Sequence, residues 1–147
     1  MTTASEHYRL LFSNLESDLG EVSLETLTAI VGFSAGGPVS IKRVGSKHAF
    51  VTCELSLYPE QKPSSEGENF ELLSRIPVTE AQLHTLLTAL GNLSMEATLG
   101  HRHTVDVSGV SDAGGTSLVW LRHYSSAIID GKPYGVYEVV AGQPDEA

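Results

Sequence analysis

The sequence predicts a small α+β domain with a mainly antiparallel sheet of about five to seven strands and two helices packed on it. This prediction rests on one helix with clear start and stop signals, strand-like runs on both sides of it, and short polar turns between those runs. With 147 residues, 41% of them apolar, the chain can bury one core without disulfides or metal. We therefore expect a single domain over residues 1–147.

The strongest helix signal follows Val78. Thr79 and Gln82 have the spacing of a capping box, and Val78 is placed to pack on Leu83 as a hydrophobic staple. Apolar residues then recur at i, i+3, i+4 and i+7 on one face, namely Leu83, Leu86, Leu87 and Leu90. Gly91 is expected to end this helix.

A second helix is expected from Leu24 to Val31, with Ser23 as its N-cap. The predicted strands are His7 to Phe12, Val39 to Val44, Ala49 to Tyr58, Phe70 to Ile76, Glu96 to Val107 with an interruption at Gly100, Thr116 to Tyr124, and Tyr134 to Val140. Asp130-Gly131 predicts a two-residue hairpin turn, because both positions accept positive φ. We expect a flexible loop at about 59–69 and a frayed tail at 142–147.

Between Ala49 and Tyr58 apolar and polar residues alternate, so one face of this strand is expected to meet the core and the other to be mostly solvated. Cys53 lies on the apolar side and is interpreted as a buried structural thiol. A single cysteine, together with an N-terminus that lacks a signal peptide pattern, favours a cytoplasmic protein. No apolar run is long enough to span a membrane.

The formal net charge of -9 opposes binding to nucleic acid backbones and to anionic membranes. The acidic excess is greatest near the N-terminus, where a basic protein surface would find its partner residues: Glu16, Asp18, Glu21 and Glu25. Homodimerisation through an exposed sheet edge is compatible with these features.

A second kind of partner, a small anionic ligand, is indicated by basic and aromatic residues in the C-terminal half. Arg122 shares a predicted strand face with Trp120 and Tyr124, and Arg102 lies in the strand before it. Guanidinium groups fork onto phosphate or carboxylate, while aromatic rings can stack on a ligand ring. The alternative is an arginine that simply covers an exposed aromatic side chain.

Two patterns suggest enzymatic chemistry instead. Gly32-Phe33-Ser34-Ala35-Gly36 matches the G-x-S-x-G nucleophile elbow, with His123 as base and Asp106 or Asp112 as its orienting acid. Two features oppose the hydrolase interpretation. Only 31 residues precede Gly32, and Gly37-Pro38 disfavours the helix that must follow the serine. A glycine-rich turn is the alternative.

The second pattern is His101-Arg102-His103, whose two imidazoles share one face of the predicted strand and could hold a divalent metal, with His123, Asp106 or Asp112 as third ligand. Apolar residues on that face equally suit histidines satisfied by backbone carbonyls. Because no companion motif supplies further ligands, we expect no cofactor, with one divalent metal as the alternative.

Five short segments follow one another between Gly45 and Leu99: Gly45 to His48, Phe50 to Ser56, Phe70 to Leu73, Val78 to Gln82 and Ala97 to Leu99. In these segments the sequence resembles small proteins carried by phages, prophages and plasmids, in which a strand, a polar loop and a second strand precede a Ser/Thr-Glu-Ala-Gln helix. The chain departs from that group at Leu83, where an aromatic residue commonly follows, and in its longer C-terminal sheet region.

This resemblance implies no activity, but it favours a setting of bacterial conflict in which small acidic proteins act by binding. The leading hypothesis is a cytoplasmic, non-enzymatic protein that inhibits or sequesters a partner. The rival hypothesis is a small hydrolase or metal-dependent enzyme that uses Ser34 or the set of His101, His103 and His123.

Overall fold

The computed structural model describes residues 2–23, 26, 32–110 and 116–144. Its helices are α1 (Ala4–Leu11), α2 (Ser13–Leu19) and α3 (Glu80–Glu96). Its strands are β1 (Ile41–Arg43), β2 (Phe50–Thr52), β3 (Asn69–Ser74), β4 (Thr104–Asp106), β5 (Leu118–Ile129) and β6 (Lys132–Ala141). Single 3₁₀ turns lie at Phe33–Ala35 and Leu55–Leu57.

The six strands form one sheet in the order β1-β2-β3-β6-β5-β4. All neighbouring pairs are antiparallel except β3 and β6, which run parallel through the centre of the sheet. The α+β class, with a mostly antiparallel sheet, is therefore confirmed. The described residues form three helices where the sequence predicted two.

Helices cover both faces of the sheet. On one face, the leucines of α3 pack with Phe50, Phe70 and Leu121 in the larger core cluster. On the other face, α1 and α2 contribute Leu11 and Leu15 to a second cluster. No helix in the described part of the chain is both long and apolar enough to cross a membrane.

Helix α3 begins as predicted. The Thr79 side chain accepts a hydrogen bond from the Gln82 N–H, and the Gln82 side chain accepts one from the Thr79 N–H, which completes the capping box. The predicted end at Gly91 is wrong, because the helix continues to Glu96. A Cβ at Gly91 would lie 3.1 Å from a methyl group of Leu55, so this glycine allows close packing and does not terminate the helix.

The predicted strand from His7 to Phe12 is wrong, since these residues belong to α1 and its C-cap. Thr3 caps this helix by accepting a hydrogen bond from the Glu6 N–H at 3.1 Å. The pattern Thr3-x-x-Glu6 is itself a helix start signal, which the strand prediction did not take into account. Most of the helix predicted from Leu24 to Val31 lies outside the described residues.

The long strand predicted from Ala49 to Tyr58 is also wrong beyond Thr52. The chain leaves the sheet there and forms the 3₁₀ turn at Leu55–Leu57. All three residues of β2 are buried because helices cover both sheet faces, so no solvated face exists at this strand. Cys53 is half-buried against the second core cluster, and burial raises the pKa of its thiol to about 12.

The strand predicted from Glu96 to Val107 shrinks to β4, because α3 occupies its start and residues 101–102 form a turn in which Arg102 has a φ of 72°. The predicted strand from Thr116 to Tyr124 becomes the longer β5. The hairpin turn is confirmed, since Asp130 and Gly131 both take positive φ, at 51° and 78°.

Candidate functional site

The candidate site is built around Glu138 on β6, whose buried carboxylate holds two arginines. Arg75 forks onto it, with Nε 2.8 Å from Oε2 and Nη2 2.7 Å from Oε1. Arg122, the direct cross-strand neighbour of Glu138, donates from Nη2 to Oε1 at 2.6 Å. The Glu138 side chain is only 5% exposed, whereas those of Arg75 and Arg122 are 40% and 45% exposed.

The electrostatics of this cluster leave a positive surface. Burial acts to raise the pKa of Glu138, but the hydrogen bonds and charges of Arg75 and Arg122 outweigh it and hold that pKa below its ordinary value. The carboxylate is therefore ionised at neutral pH. Arg75, Arg122 and Glu138 taken by themselves carry one net positive charge, on a protein that is acidic overall.

Two aromatic side chains border the arginines. The Arg122 guanidinium lies 5.9 Å from the centre of the Trp120 ring, and the Tyr124 hydroxyl donates to Asp18 on α2 at 2.8 Å. Tyr124 is also close enough to Arg75 for the two to interact electrostatically. We call these four residues, Arg75, Arg122, Trp120 and Tyr124, the arginine–tryptophan face.

Helices α1 and α2 pack on the neighbouring part of the sheet, and α2 borders this face at Tyr124 through Asp18. Val51 and Val136 are buried beneath those helices, whereas Trp120 stays half-buried and both arginines are exposed. Three members of the predicted ligand-binding set, Trp120, Arg122 and Tyr124, thus lie together. Arg102 is exposed in the turn before β4, where its backbone N–H donates to the carbonyl of Leu121 on β5.

Arg75 is not among the ligand-binding residues predicted from the sequence. It directly follows β3, which is parallel to β6, and Leu73 at the end of β3 pairs with Glu138. Strand pairing between residues more than 60 positions apart has no local signal, so only the folded sheet places Arg75 beside Arg122.

The acidic residues predicted to face a basic partner are partly used within the fold. Glu16 accepts a hydrogen bond from the Val22 N–H at 3.2 Å, and Asp18 accepts the Tyr124 hydroxyl. Glu21 is exposed, and Glu25 lies outside the described residues. Asp18 therefore forms an acidic border of the arginine–tryptophan face.

Two of the three candidate metal ligands come together. The backbone N–H of His123 donates to Nδ1 of His101 at 3.0 Å, so this ring nitrogen of His101 acts as an acceptor. The His123 ring engages other groups, with Nε2 2.6 Å from the Ser126 hydroxyl and 3.4 Å from the Glu68 carboxylate. His103 lies in the segment before β4 and not on a shared strand face. Among the described residues, no three His, Cys, Asp or Glu side chains are arranged to hold a metal ion.

The same histidine pair borders a hydrogen-bonded loop. The Tyr137 hydroxyl lies 2.8 Å from a carboxylate oxygen of Glu66 and 3.0 Å from one of Glu68. The Glu66 carboxylate also accepts a hydrogen bond from the backbone N–H of His101. Burial raises the pKa of Tyr137, and its bonds to these carboxylates act in the same direction. These contacts anchor the segment at 64–68, part of the loop predicted to be flexible, to Tyr137 on β6.

Ser34 is exposed on the 3₁₀ turn that runs from Phe33 to Ala35. Gly36 follows in the left-handed conformation, so a turn stands where a nucleophile elbow would continue into a helix. In His123, the predicted base, Nε2 is hydrogen-bonded to the Ser126 hydroxyl and lies close to the Glu68 carboxylate. Asp106 accepts two hydrogen bonds from Ser108, and Asp112 lies outside the described residues.

Fold and site together define a small α+β protein with a mixed sheet and an exposed cluster of arginine and aromatic side chains. No protein-family model matches this chain, and no curated protein or solved structure is significantly similar to it.

Proposed function

We propose that this chain is a non-enzymatic binding protein that sequesters a small anionic ligand on its arginine–tryptophan face. The observation that carries the proposal is the pair of half-exposed guanidiniums oriented by one buried carboxylate, Glu138. Holding an arginine in place before the ligand arrives lowers the entropy cost of binding. Carboxylate and phosphate groups suit this face chemically, because they accept paired hydrogen bonds from guanidinium donors.

The guanidinium nitrogens of Arg75 and Arg122 that do not bond to Glu138 support such a ligand. Arg122 uses only Nη2 toward Glu138, which leaves its Nε and Nη1 donors without a bond to other described residues. Arg75 directs two of its three nitrogens toward Glu138 and keeps one for a ligand. A single anionic group between them would gain charge-assisted hydrogen bonds while Trp120 supplies an apolar wall.

The composition of the face supports binding more than catalysis. Tryptophan, tyrosine and arginine are the residues most enriched where binding energy concentrates in interfaces. The face holds no serine, cysteine or histidine that could serve as nucleophile or base. Arg122 over Trp120 also matches the alternative of an arginine that only covers an aromatic ring, so the test must show that a ligand competes for this position.

The proposed setting rests on the sequence alone. A single cysteine, the acidic composition and the resemblance to proteins of mobile elements support a cytoplasmic protein of bacterial or phage origin that acts by sequestering its ligand. Pairing of two copies through a sheet edge is compatible with this function but is not needed for it.

The chain contains one tryptophan, so its fluorescence reports on the proposed site directly. We would titrate inorganic phosphate and, separately, citrate at low ionic strength while recording Trp120 emission. The proposal predicts a saturable change that sodium chloride weakens, because the attraction is electrostatic and partly exposed. Arg122→Gln should weaken binding about tenfold or more, in line with the loss of one charge-assisted contact.

Arg43→Gln is the matched control. Arg43 is also an exposed arginine that contacts a carboxylate and an aromatic ring, but it lies on β1 and pairs with Glu80. This variant should bind both anions as the parent protein does. An emission change that does not saturate, or that Arg122→Gln leaves intact, would show that the face does not bind these anions.

A further inference from the structure

A cavity of about 400 Å³ lies between the C-terminal half of α3 and the two 3₁₀ turns, away from the arginine–tryptophan face. Its apolar wall includes Phe33, Tyr58 and Met95, and its rim carries Ser34, Glu60 and Asn92. The Phe33 and Tyr58 rings lie nearly parallel, with their centres 5.9 Å apart. Among the described residues that line it, there is no lysine or arginine.

Three carboxylates, those of Glu54, Glu60 and Glu71, act on Tyr58. Its hydroxyl donates to the Glu54 carboxylate, and Glu60 and Glu71 also act electrostatically on it. Burial and these carboxylates together raise the pKa of Tyr58 to about 12. A phenol that donates to a carboxylate gains electron density in its ring, which strengthens attraction for a cation above the ring face.

The apolar wall suits the stem of a long cationic side chain. Lysine and arginine bury their methylene groups along apolar surface and keep the charged end near water. Here the methylenes would contact Phe33 and the thioether of Met95, which adapts easily to irregular shapes. The charged end would lie within reach of the exposed Glu60 carboxylate at the rim.

We infer that this cavity binds a lysine or arginine side chain presented by a basic protein partner. The net charge of -9 favours such a partner at long range, and the aromatic and carboxylate lining selects its cationic side chain at contact. This inference concerns a second site and does not depend on anion binding at Arg75 and Arg122. It assigns the predicted basic partner to residues other than Glu16, Asp18, Glu21 and Glu25.

The test is an NMR titration of ¹⁵N-labelled protein with Nα-acetyl-lysine N-methylamide, a probe that carries one lysine side chain and no other charge. The amide signals of Ser34, Tyr58 and Asn92 should shift along one saturable curve. The same probe acetylated at Nε keeps the stem but is neutral, and it should bind at least about fivefold more weakly, as expected when a cation–π contact is lost.

Variants separate charge from shape. Glu60→Gln should weaken binding of the charged probe about twofold to fivefold, as expected for the loss of an exposed ion pair. Tyr58→Leu, which removes the ring, should abolish saturable binding, and Tyr58→Phe should retain part of it. Glu80→Gln removes the same charge at the other end of α3 and should change nothing.

Equal affinity for the charged and neutral probes would overturn the inference and leave an apolar cavity without charge preference. Shifts that do not saturate, or that avoid Ser34, Tyr58 and Asn92, would also overturn it. If Tyr58→Leu fails to fold, Glu60→Gln and the neutral probe still decide the outcome.

Discussion

Ser56 donates both its backbone N–H and its hydroxyl to one oxygen of Glu71, at 2.7 and 2.6 Å. The other bonds to this fully buried carboxylate come from the Tyr8 hydroxyl, the Thr52 hydroxyl and the Leu55 N–H. Glu71 therefore ties α1, β2 and the turn at Leu55–Leu57 to the centre of the sheet. This explains why the chain leaves the sheet after Thr52.

Glu71→Ala should destabilise the protein by about 3 kcal/mol or more, because it leaves several buried donors without an acceptor. The free energy of unfolding from urea titration measures this effect. Glu80→Ala removes an exposed carboxylate and should cost less than about 0.5 kcal/mol. Similar stabilities for the two variants would contradict the structural role of Glu71.

The capping box of α3 gives a second stability prediction. Thr79→Ala removes the acceptor for the Gln82 N–H and should cost about 1 kcal/mol. Thr85→Ala is a suitable control, since Thr85 is half-buried within the same helix and its hydroxyl donates to the Ala81 carbonyl. Thermal unfolding of both variants tests the prediction, which fails if Thr85→Ala is the more harmful change.

The pH dependence of stability should report on Glu138. Its pKa is lower in the folded protein than in the unfolded chain, so its contribution is present above the ordinary value of 4.5 and is lost as pH falls through the folded value. Glu138→Gln should therefore flatten the fall in unfolding free energy below about pH 4.5. Parallel curves for parent and variant would mean that the arginines do not stabilise this carboxylate.

The reactivity of Cys53 reports on the burial of its thiol. Because burial raises the pKa of its thiol to about 12, little thiolate forms near neutral pH. Alkylation by iodoacetamide at pH 8 should be roughly a hundredfold or more slower than for cysteine in unfolded protein. The rate should keep rising above pH 9 and should become fast in denaturant. Rapid alkylation of the folded protein at pH 8 would contradict this description.

The sequence predicted the parts of the fold that have local signals. The Thr79 capping box, the leucine spacing of α3 and the Asp130-Gly131 turn all depend on neighbouring residues. The missed features depend on distant contacts. Nothing near Gly91 indicates that Leu55 packs against it, and nothing near Thr52 indicates that a carboxylate on β3 draws the chain out of the sheet.

The candidate site was predictable to a similar extent. Alternation along β5 places Trp120 and Arg122 on one face, and the structure has them there. Glu138 lies on β6 and Arg75 directly follows β3, so their contact with Arg122 depends on the parallel pairing of β3 and β6. The histidine pattern was misleading, because Arg102 takes a left-handed turn that removes His101 and His103 from a common strand face.

The central claim is that Arg75 and Arg122 together bind an anion, and the most direct measurement follows their Nε signals by ¹⁵N NMR during a citrate titration. The account predicts that these two signals move along one saturable curve while the Arg43 signal stays in place. Equal movement of all three arginines, or no movement of Arg75 and Arg122, would contradict it.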